Sequence, residues 1–436
     1  MALENIRGRR PGPGEPAVVV GAGRSGLAAA RLLADKGARV RLLERHADAV
    51  SADIKSQLGR LGVELIVGEH SPEHFENSVV VVPSPGIPVS RLKRFTDGDK
   101  GTNRPEILAE MELAWRYLDG EPVLAVTGTS GKTTTASLAA AMLQAQGYTV
   151  FLGGNIGTPL SEYLLSGRKA DVLVLEISSF QLQTCSTFCP RVGILLNISS
   201  NHLDYHKDMR EYVEAKFRLF RCQDEGDLAV LGAEVKPLAR PFRLKARQVY
   251  VENGERFTKR RLLGAHNTLN MEAAWQACRF FGVNEDRARA AVAGFNPLPH
   301  RLEVVRKYKN ITYINDSKCT TVAALRVALQ AVEQPVRLLC GGKFKGGNLA
   351  ELRDLVRERV AEVALFGASR EKFEEAWQGI VPVTWHEKLE PAVRLLSVHA
   401  RKGDAVLLAP ATSSFDLYAN YMARGDDFRH IVEALP

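Results

Sequence analysis

No window of the 436-residue sequence approaches the ~18 uninterrupted apolar residues that a membrane-crossing helix needs, so a helical membrane protein is not expected. The opening segment, Met1–Pro16, carries Arg7, Arg9 and Arg10 with no apolar stretch behind them; it reads as a disordered lead-in rather than a signal peptide. Six cysteines are present, Cys185, Cys189, Cys222, Cys278, Cys319 and Cys340, yet none forms a Cys-x-x-Cys pair. That removes the common zinc and dithiol spacings and fits reduced thiols in a cytoplasmic protein. Low-complexity tracts and short-period repeats are missing. So is any long basic run or aromatic-interleaved basic patch, which makes nucleic acid an unexpected partner despite a net charge of +8. The positive excess suits solubility and attraction of small polyanions. With 45% hydrophobic and 25% charged residues the chain is of the globular kind, and its length implies two or three domains.

What the chain does contain is a strand-to-loop-to-helix passage of a particular kind. The apolar run Val123-Leu124-Ala125-Val126 leads into Thr127-Gly128-Thr129-Ser130-Gly131-Lys132-Thr133-Thr134-Thr135, and an Ala/Leu-rich helix follows. This layout makes a phosphate cradle. Backbone N–H groups point inward, the helix N-terminus carries partial positive charge, Lys132 adds a full one, and a threonine hydroxyl can hold Mg²⁺. Gly128 and Gly131 stand closer together than the glycines of the usual P-loop. The strand before the loop, the helix after it and the three threonines set it apart from an ordinary turn. A nucleoside triphosphate is the expected ligand.

The chain reads as three α/β segments. The first opens with Ala17-Val18-Val19-Val20, then Gly21-x-Gly23-x-x-Gly26 before an Ala/Leu-rich helix, then a strand from Arg39 to Leu43 ending at Glu44. This is a βαβ unit with the dinucleotide fingerprint. Strands at Val63–Val67 and Val79–Val82 follow, the latter running into Pro83-Ser84-Pro85-Gly86, a forced loop at the strand end where open α/β sheets bind ligands. Thr96–Pro105 reads as a linker. The middle segment starts with a helix near Glu106, holds the phosphate loop, and has apolar strands at Val172–Leu175 and Val192–Leu196, with helices at Met209–Phe220 and Asn270–Phe281. A second boundary lies around Pro297–His300. The last segment alternates strands at Thr312–Ile314, Arg337–Cys340, Val363–Phe366 and Ala405–Leu408 with helices at Val322–Ala331, Asn348–Arg359 and Pro391–His399. The expected domains are 1–105, 106–298 and 299–436.

In the middle segment one strand delivers Glu176 to its C-terminal end and the next delivers Asn197, then Asn201-His202-Leu203-Asp204. In a parallel sheet these ends share an edge with the phosphate loop. A carboxylate and an imidazole beside a triphosphate suit Mg²⁺, which shares its shell between protein and phosphate oxygens. Taken singly, Glu176 could equally be a helix cap or surface charge, and His202 a structural histidine.

Together the runs TGTSGKTTT, GGNIG (Gly153–Gly157), LEISSFQL (Leu175–Leu182) and NHLD (Asn201–Asp204) resemble the Mur ligase family, ATP-dependent amide ligases that build the peptide of cell-wall precursors. The resemblance covers nearly the whole chain and implies a Rossmann-like UDP-binding domain, a central P-loop ATPase-like domain with a mostly parallel sheet, and a C-terminal Rossmann-like α/β domain that binds the incoming amino acid. SPGIP (Ser84–Pro88), LPHRLE (Leu298–Glu303), INDSKCT (Ile314–Thr320) and ATSSFD (Ala411–Asp416) resemble the D-glutamate-adding branch of that family. The implied substrates are ATP, UDP-N-acetylmuramoyl-L-alanine and D-glutamate, handled by a cytoplasmic monomer with no membrane partner.

Position by position, the resemblance implies the following. Gly128, Thr129, Ser130, Gly131, Lys132, Thr133 and Thr134 would bind ATP, with Asn270 reading adenine, Arg301 the phosphates and Asp316 the ribose. Thr133 and Glu176 would hold one Mg²⁺, and His202 a second. Lys216 falls on the family's carbamylated lysine, a carboxylate made from CO₂ that supports that second ion; by its residue type alone it reads as a solvated helix lysine. Lys132, His202 and Lys216 form the implied catalytic set. Gly23, Arg24, Ser25, Glu44, Arg45, Ser84, Gly86, Asn155 and His202 would contact the UDP substrate, and Lys318, Thr320, Lys345, Ser414 and Tyr421 would surround D-glutamate. Cys319 and Thr321 depart from the family's Ala and Asn, and the register between Lys343 and Lys345 stays open.

The implied chemistry is phosphorylation of a carboxylate, then attack of an amine on the acyl phosphate, with domain closure bringing the sites together. Other readings are another Mur ligase, a folylpolyglutamate synthase-like ligase, a non-catalytic nucleotide-binding regulator, and an NAD-dependent oxidoreductase, which the first fingerprint alone would suggest.

Overall fold

Strands that are apolar along their whole length set the architecture, because such strands are stable only with both faces covered. The computed structural model describes residues 8–96, 104–199, 205–252, 256–258 and 260–436. The first sheet contains β1 (Pro16–Val20), β2 (Arg39–Glu44), β3 (Glu64–Val67), β4 (Val80–Pro83) and β5 (Glu106–Ile107), all parallel in the order β3-β2-β1-β4-β5. In the second, β6 (Val123–Thr127), β7 (Val150–Gly154), β8 (Val172–Glu176), β9 (Val192–Leu195), β10 (Leu228–Gly232) and β11 (Arg247–Val251) are again all parallel, ordered β11-β10-β9-β6-β8-β7. In the third, β12 (Glu303–Tyr308), β13 (Ile311–Asn315), β14 (Val336–Gly341), β15 (Val360–Phe366), β16 (Val383–His386) and β17 (Ala405–Leu408) run in the order β12-β13-β17-β14-β15-β16, with only β12 antiparallel to its neighbour. The protein is therefore a mixed α/β chain built on three mostly parallel sheets.

The chain divides into two compact units: residues through Arg256 with Leu269–Val292, and Phe257–Thr268 with Ala293–Pro436. The first unit holds the first two sheets and one continuous apolar core that runs from Val19 and Leu42 through Leu113 and Trp115 to Leu173 and Leu195. The helix Glu110–Tyr117 lies in that core, and the buried charges of Glu112 and Arg116 are compensated. Arg116 bonds Glu112 Oε1 (3.2 Å) and both carboxylate oxygens of Glu106, while Glu112 also accepts from the Thr187 and Phe188 N–H groups, 3.0 Å each. A buried charge persists in a core only with such partners.

Two expectations are corrected here. The helix placed near Glu106 begins at Glu110, because Glu106 and Ile107 first pair with β4 as an edge strand. The lead-in is not disordered over the part described: Gly14 N–H donates to Gly37 O (2.9 Å), Arg116 donates to Arg9 O (2.8 Å), and the Tyr117 hydroxyl donates to Pro11 O. Backbone carbonyls at Arg9 and Pro11 thus tie this segment to the end of the helix that carries Arg116 and Tyr117. Residues 97–103 of the expected linker lie outside the described residues. Among the described residues no helix is long and apolar enough to cross a membrane.

Candidate active site

β6 lies between β8 and β9, and the chain leaves it toward β7, so its C-terminal end is a topological switch point, where open parallel sheets bind ligands. The phosphate loop begins there. Gly131 adopts φ +82° as the N-cap of the helix Lys132–Gln146, and a Cβ at that position would come within 2.4 Å of Asn270 Oδ1, so only glycine fits. The same proximity brings the expected adenine-reading Asn270 to the loop. Neighbouring strand ends fasten the loop. Thr129 N–H donates to Asn197 O (3.0 Å), Ser130 N–H donates to Asn197 Oδ1 (2.8 Å), and Asn197 Nδ2 returns a bond to Ser130 O (3.2 Å). Lys132 Nζ rests on the carbonyls of Gly128 (2.9 Å) and Thr129 (3.1 Å), poised at the mouth of the cradle.

Ladder register sets Glu176 opposite Val126 on one side and Gly154 on the other. Its side chain is only 2% exposed. Asn155, just past β7, donates Nδ2–H to Glu176 Oε1 at 2.7 Å, and Glu176 Oε2 is buried with no hydrogen-bond partner among the described residues. A buried carboxylate oxygen without a donor is costly unless something cationic meets it. This chemistry fits a hard divalent cation that takes one protein carboxylate and fills its other positions with hydroxyl, phosphate and water oxygens. Among the described residues no cluster of three or more His, Cys, Asp or Glu is arranged to hold a metal. Thr133 is half-buried in the first turn of the same helix. His202 lies outside the described residues.

Lys216 departs most from its reading as a solvated lysine. It is 1% exposed, and its Nζ donates to Gly128 O at 2.9 Å and lies 3.5 Å from Thr127 Oγ1. Burial, with Lys132 nearby, holds its amine well below the ordinary lysine range. One turn earlier on the helix Met209–Phe217, Tyr212 OH bonds Thr129 Oγ1 at 3.0 Å, and the Lys216 ammonium lies 4.7 Å from the Tyr212 ring centre. Sequence reasoning passed over Tyr212. Its signal was the i, i+4 spacing to Lys216, which sets both on one helical face.

The first sheet supplies a second strand-end site. A Cβ on Gly26 would meet Gly21 O at 1.9 Å, which accounts for the third glycine of the fingerprint as a close helix-to-strand approach. Ser84 Oγ donates to Gly21 O (3.1 Å), joining the two loops expected to bind the UDP substrate. Glu44 is already engaged: it accepts from Ala22 N–H (2.7 Å) and His46 N–H (3.1 Å). Burial pushes its carboxyl up, but the Ala22, His46 and Arg45 N–H groups outweigh this and hold it below the usual range. Arg24 pairs with Glu162 at 3.7 Å and Arg45 with Glu69 at 2.5 Å; Gly23 and Gly86 are exposed and Ser25 is half-buried.

In the second unit, β13, β17 and β14 are neighbours, and the loops leaving their C-terminal ends are bonded together. Asp316 N–H donates to Leu408 O (2.8 Å), Ala411 N–H to Cys319 O (3.0 Å), and Lys343 N–H to Ser413 O (3.0 Å). Asp316, Lys318, Thr320, Lys345 and Ser414 all sit on these loops. Lys318 Nζ is 4.0 Å from the centre of the Tyr421 ring, and Lys345 is exposed. Asp316 Oδ1 accepts from Leu302 N–H (3.2 Å), next to Arg301, and burial pushes its carboxyl up to about 7. The fully buried Arg424 clamps the cluster, donating to Ser317 O (2.8 Å), Ser317 Oγ (3.0 Å) and Thr412 O (3.2 Å). Nothing in the local sequence marks that arginine.

A glycine-rich loop at a switch point, flanked by a buried carboxylate and a buried lysine, defines a nucleotide-handling α/β protein. Comparison with known families narrows the class. Profiles described as Mur ligase MurD-like, N-terminal domain; Mur ligase middle domain; and Mur ligase, glutamate ligase domain match residues 15–97, 126–252 and 300–412. The chain is 68% identical over 437 residues to the UDP-N-acetylmuramoylalanine--D-glutamate ligase of Desulfovibrio desulfuricans, covering 100% of both chains. It is 61% identical over 432 residues to the protein of the same name from Nitratidesulfovibrio vulgaris strain DP4, covering 99% of each. Among solved structures, the MurF ligase of Thermotoga maritima in complex with ADP has the same fold, with a TM-score of 0.59 at 18% identity over 90% of this chain and 95% of that one. The chain belongs to the Mur ligase family.

Proposed function

We propose that this chain is an ATP-dependent amide ligase that joins D-glutamate to UDP-N-acetylmuramoyl-L-alanine, a step in making peptidoglycan precursors. The observation that carries the reading is the meeting, at one edge of one sheet, of the phosphate loop, Glu176 with its spare oxygen, and the buried Lys216. The activity named for the relatives supports the choice of substrates.

In this reading an oxygen of the L-alanyl carboxylate attacks the γ-phosphorus of ATP, ADP leaves, and an acyl phosphate forms. The D-glutamate amine then attacks the carbonyl carbon, and the tetrahedral intermediate loses phosphate and a proton to leave the amide. Lys132 and the loop N–H groups would exchange their present internal bonds for phosphate oxygens and stabilise the charge on the transferring group. Two Mg²⁺ ions, when bound, would neutralise charge between two anions that must approach each other. Thr133 and Glu176 would hold one, with Asn155 fixing the carboxylate; His202 and Lys216 would serve the other.

As an ammonium Lys216 could not ligate a cation, whereas as a carbamate it would offer the oxygen ligands that Mg²⁺ prefers. Its lowered proton affinity favours that change, because the neutral amine attacks CO₂ and releases one proton to give the anion. Asn270, Arg301 and Asp316 would bind adenine, phosphates and ribose, while Lys318, Thr320, Lys345, Ser414 and Tyr421 would receive the doubly acidic amino acid. We assign the UDP substrate, ATP and amino acid to segments 1–105, 106–298 and 299–436, and place the enzyme in the cytoplasm, where both nucleotides occur.

The test uses substrate carrying oxygen-18 in the L-alanyl carboxylate. Direct phosphorylation of that carboxylate moves one labelled oxygen into the released phosphate. Unlabelled phosphate would overturn the acyl-phosphate step.

A further inference from the structure

The loop that leaves β4 and the helix after it contribute Pro83, Ile87 and Val89 to a narrow recess, and the segments that follow β8 and β9 contribute Phe180 and Tyr205. These parts are joined to each other. The ring centres of Phe180 and Tyr205 lie 3.9 Å apart, and Tyr205 OH donates to Ile87 O at 3.4 Å. Ser84 belongs to the lining with its Oγ bonded to Gly21 O, so the recess adjoins the turn expected to bind the UDP substrate. Glu110, the first residue of the helix Glu110–Tyr117, lines it as well. Glu110 is 2% exposed; Ser161 N–H donates to its Oε1 at 2.7 Å, and its Oε2 is buried with no hydrogen-bond partner among the described residues. Such an oxygen is costly, and a ligand that supplies a partner is favoured beside it.

The walls restrict what that ligand can be. Apolar side chains cannot solvate the charge of a phosphate or a carboxylate. In the function proposed above the UDP substrate carries no cation, because its alanine amine is already acylated. Among its neutral groups, the 2-acetamido group of the sugar offers both a methyl for apolar walls and a carbonyl oxygen for a donor. We propose that the recess receives this acetamido group and that Glu110 is a specificity-determining residue, donating from Oε2 to the acetamido carbonyl. The inference rests on the proposed function, which supplies the substrate. The role requires a protonated carboxyl. Burial pushes Glu110 up to about 7, and the Glu162 carboxylate, itself 3.7 Å from Arg24, adds to the rise. Burial pushes the Tyr205 hydroxyl up to about 12, so that group does not change charge in the same range. Below about pH 7, therefore, the Glu110 carboxyl keeps its hydrogen; above it, Oε2 offers only lone pairs to the carbonyl oxygen and repels it.

The experiment measures ligation of D-glutamate by the full-length protein with UDP-N-acetylmuramoyl-L-alanine and with an analogue that has hydrogen in place of the acetamido group. At about pH 6 the wild type should show a KM about tenfold higher for the analogue, the loss of one buried hydrogen bond and its neighbouring methyl contact. Glu110→Ala should raise KM for the natural substrate by a similar factor with little change in kcat, and should not raise KM for the analogue further. The wild-type KM for the natural substrate should also climb as pH passes about 7, and Glu110→Gln, which keeps a donor at every pH, should remove that climb. The comparison of the two substrates in the wild type needs no variant to fold. Equal KM values there, equal losses for both substrates in Glu110→Ala, or a climb that persists in Glu110→Gln would overturn the inference and leave the proposed function standing. A wild type that does not ligate the natural substrate would overturn the proposed function, and this inference with it.

Discussion

Lys216 sits where an ammonium ion is poorly solvated, beside a second cationic side chain and against the Gly128 carbonyl of the phosphate loop. Such a group shifts toward its neutral amine, which is the form that reacts with CO₂. Lys216→Ala is expected to lose nearly all ligase activity and to regain part of it with short-chain carboxylates; activity equal to wild type in a phosphate-release assay would contradict the role. Glu110 gives a prediction independent of chemistry. It is 2% exposed, its Oε1 accepts from Ser161 N–H, its Oε2 has no hydrogen-bond partner among the described residues, and burial pushes its carboxyl up to about 7. The folded state therefore holds a proton that the unfolded state has released. The associated stability is fully present below about pH 4.3, the ordinary glutamate value, and is lost as pH rises through about 7. Glu110→Gln should leave stability unchanged at pH 4 and raise it at pH 8 by up to about 3 kcal/mol, read by urea denaturation at both pH values. Equal effects at the two pH values would contradict the assignment. Neither environment could be read from residue type: Lys and Glu are ordinarily exposed, and only the packed structure shows them buried.

At the scale of elements, what was legible in the sequence follows from periodicity. β6, β8 and β9 are unbroken apolar runs, and their positions agree with the sequence reading to within a residue or two. The edge strands β12 and β16 were missed because their residues alternate weakly or are polar: β12 reads Glu-Val-Val-Arg-Lys-Tyr, and β16 reads Val-Thr-Trp-His; the apolar β7 and β10 were passed over as well. The expected helix Met209–Phe220 keeps its place but tightens into a 3₁₀ turn after Phe217. The phosphate loop was legible because its glycines and lysine are fixed by geometry rather than by packing. Gly131→Ala tests that geometry directly. The added methyl must strain a left-handed backbone and push against Asn270, so ATP binding should weaken at least about tenfold, or ~1.4 kcal/mol, by calorimetry, with the fold retained by circular dichroism. Unchanged affinity would show that the loop does not carry the nucleotide.

For the whole molecule, each of the three mostly parallel sheets presents loops at the C-terminal ends of its strands, and members of each expected set of binding residues lie on or beside such loops. The Gly21–Gly26 turn and Ser84 belong to the first sheet, Lys132, Glu176 and Asn155 to the second, and Asp316, Lys318 and Ser414 to the third. That distribution suits a reaction with three substrates. The motifs made it legible because each marks a strand end, while Tyr212 and Arg424 stayed hidden because each acts through contacts with residues far away in sequence. The most direct measurement is phosphate release from ATP and Mg²⁺ with UDP-N-acetylmuramoyl-L-alanine, supplying D-glutamate, L-glutamate, L-lysine or L-alanine in turn. The account predicts sustained release, matched by amide product, with D-glutamate alone. Release that ignores the amino acid, or that prefers one of the other three, would contradict it.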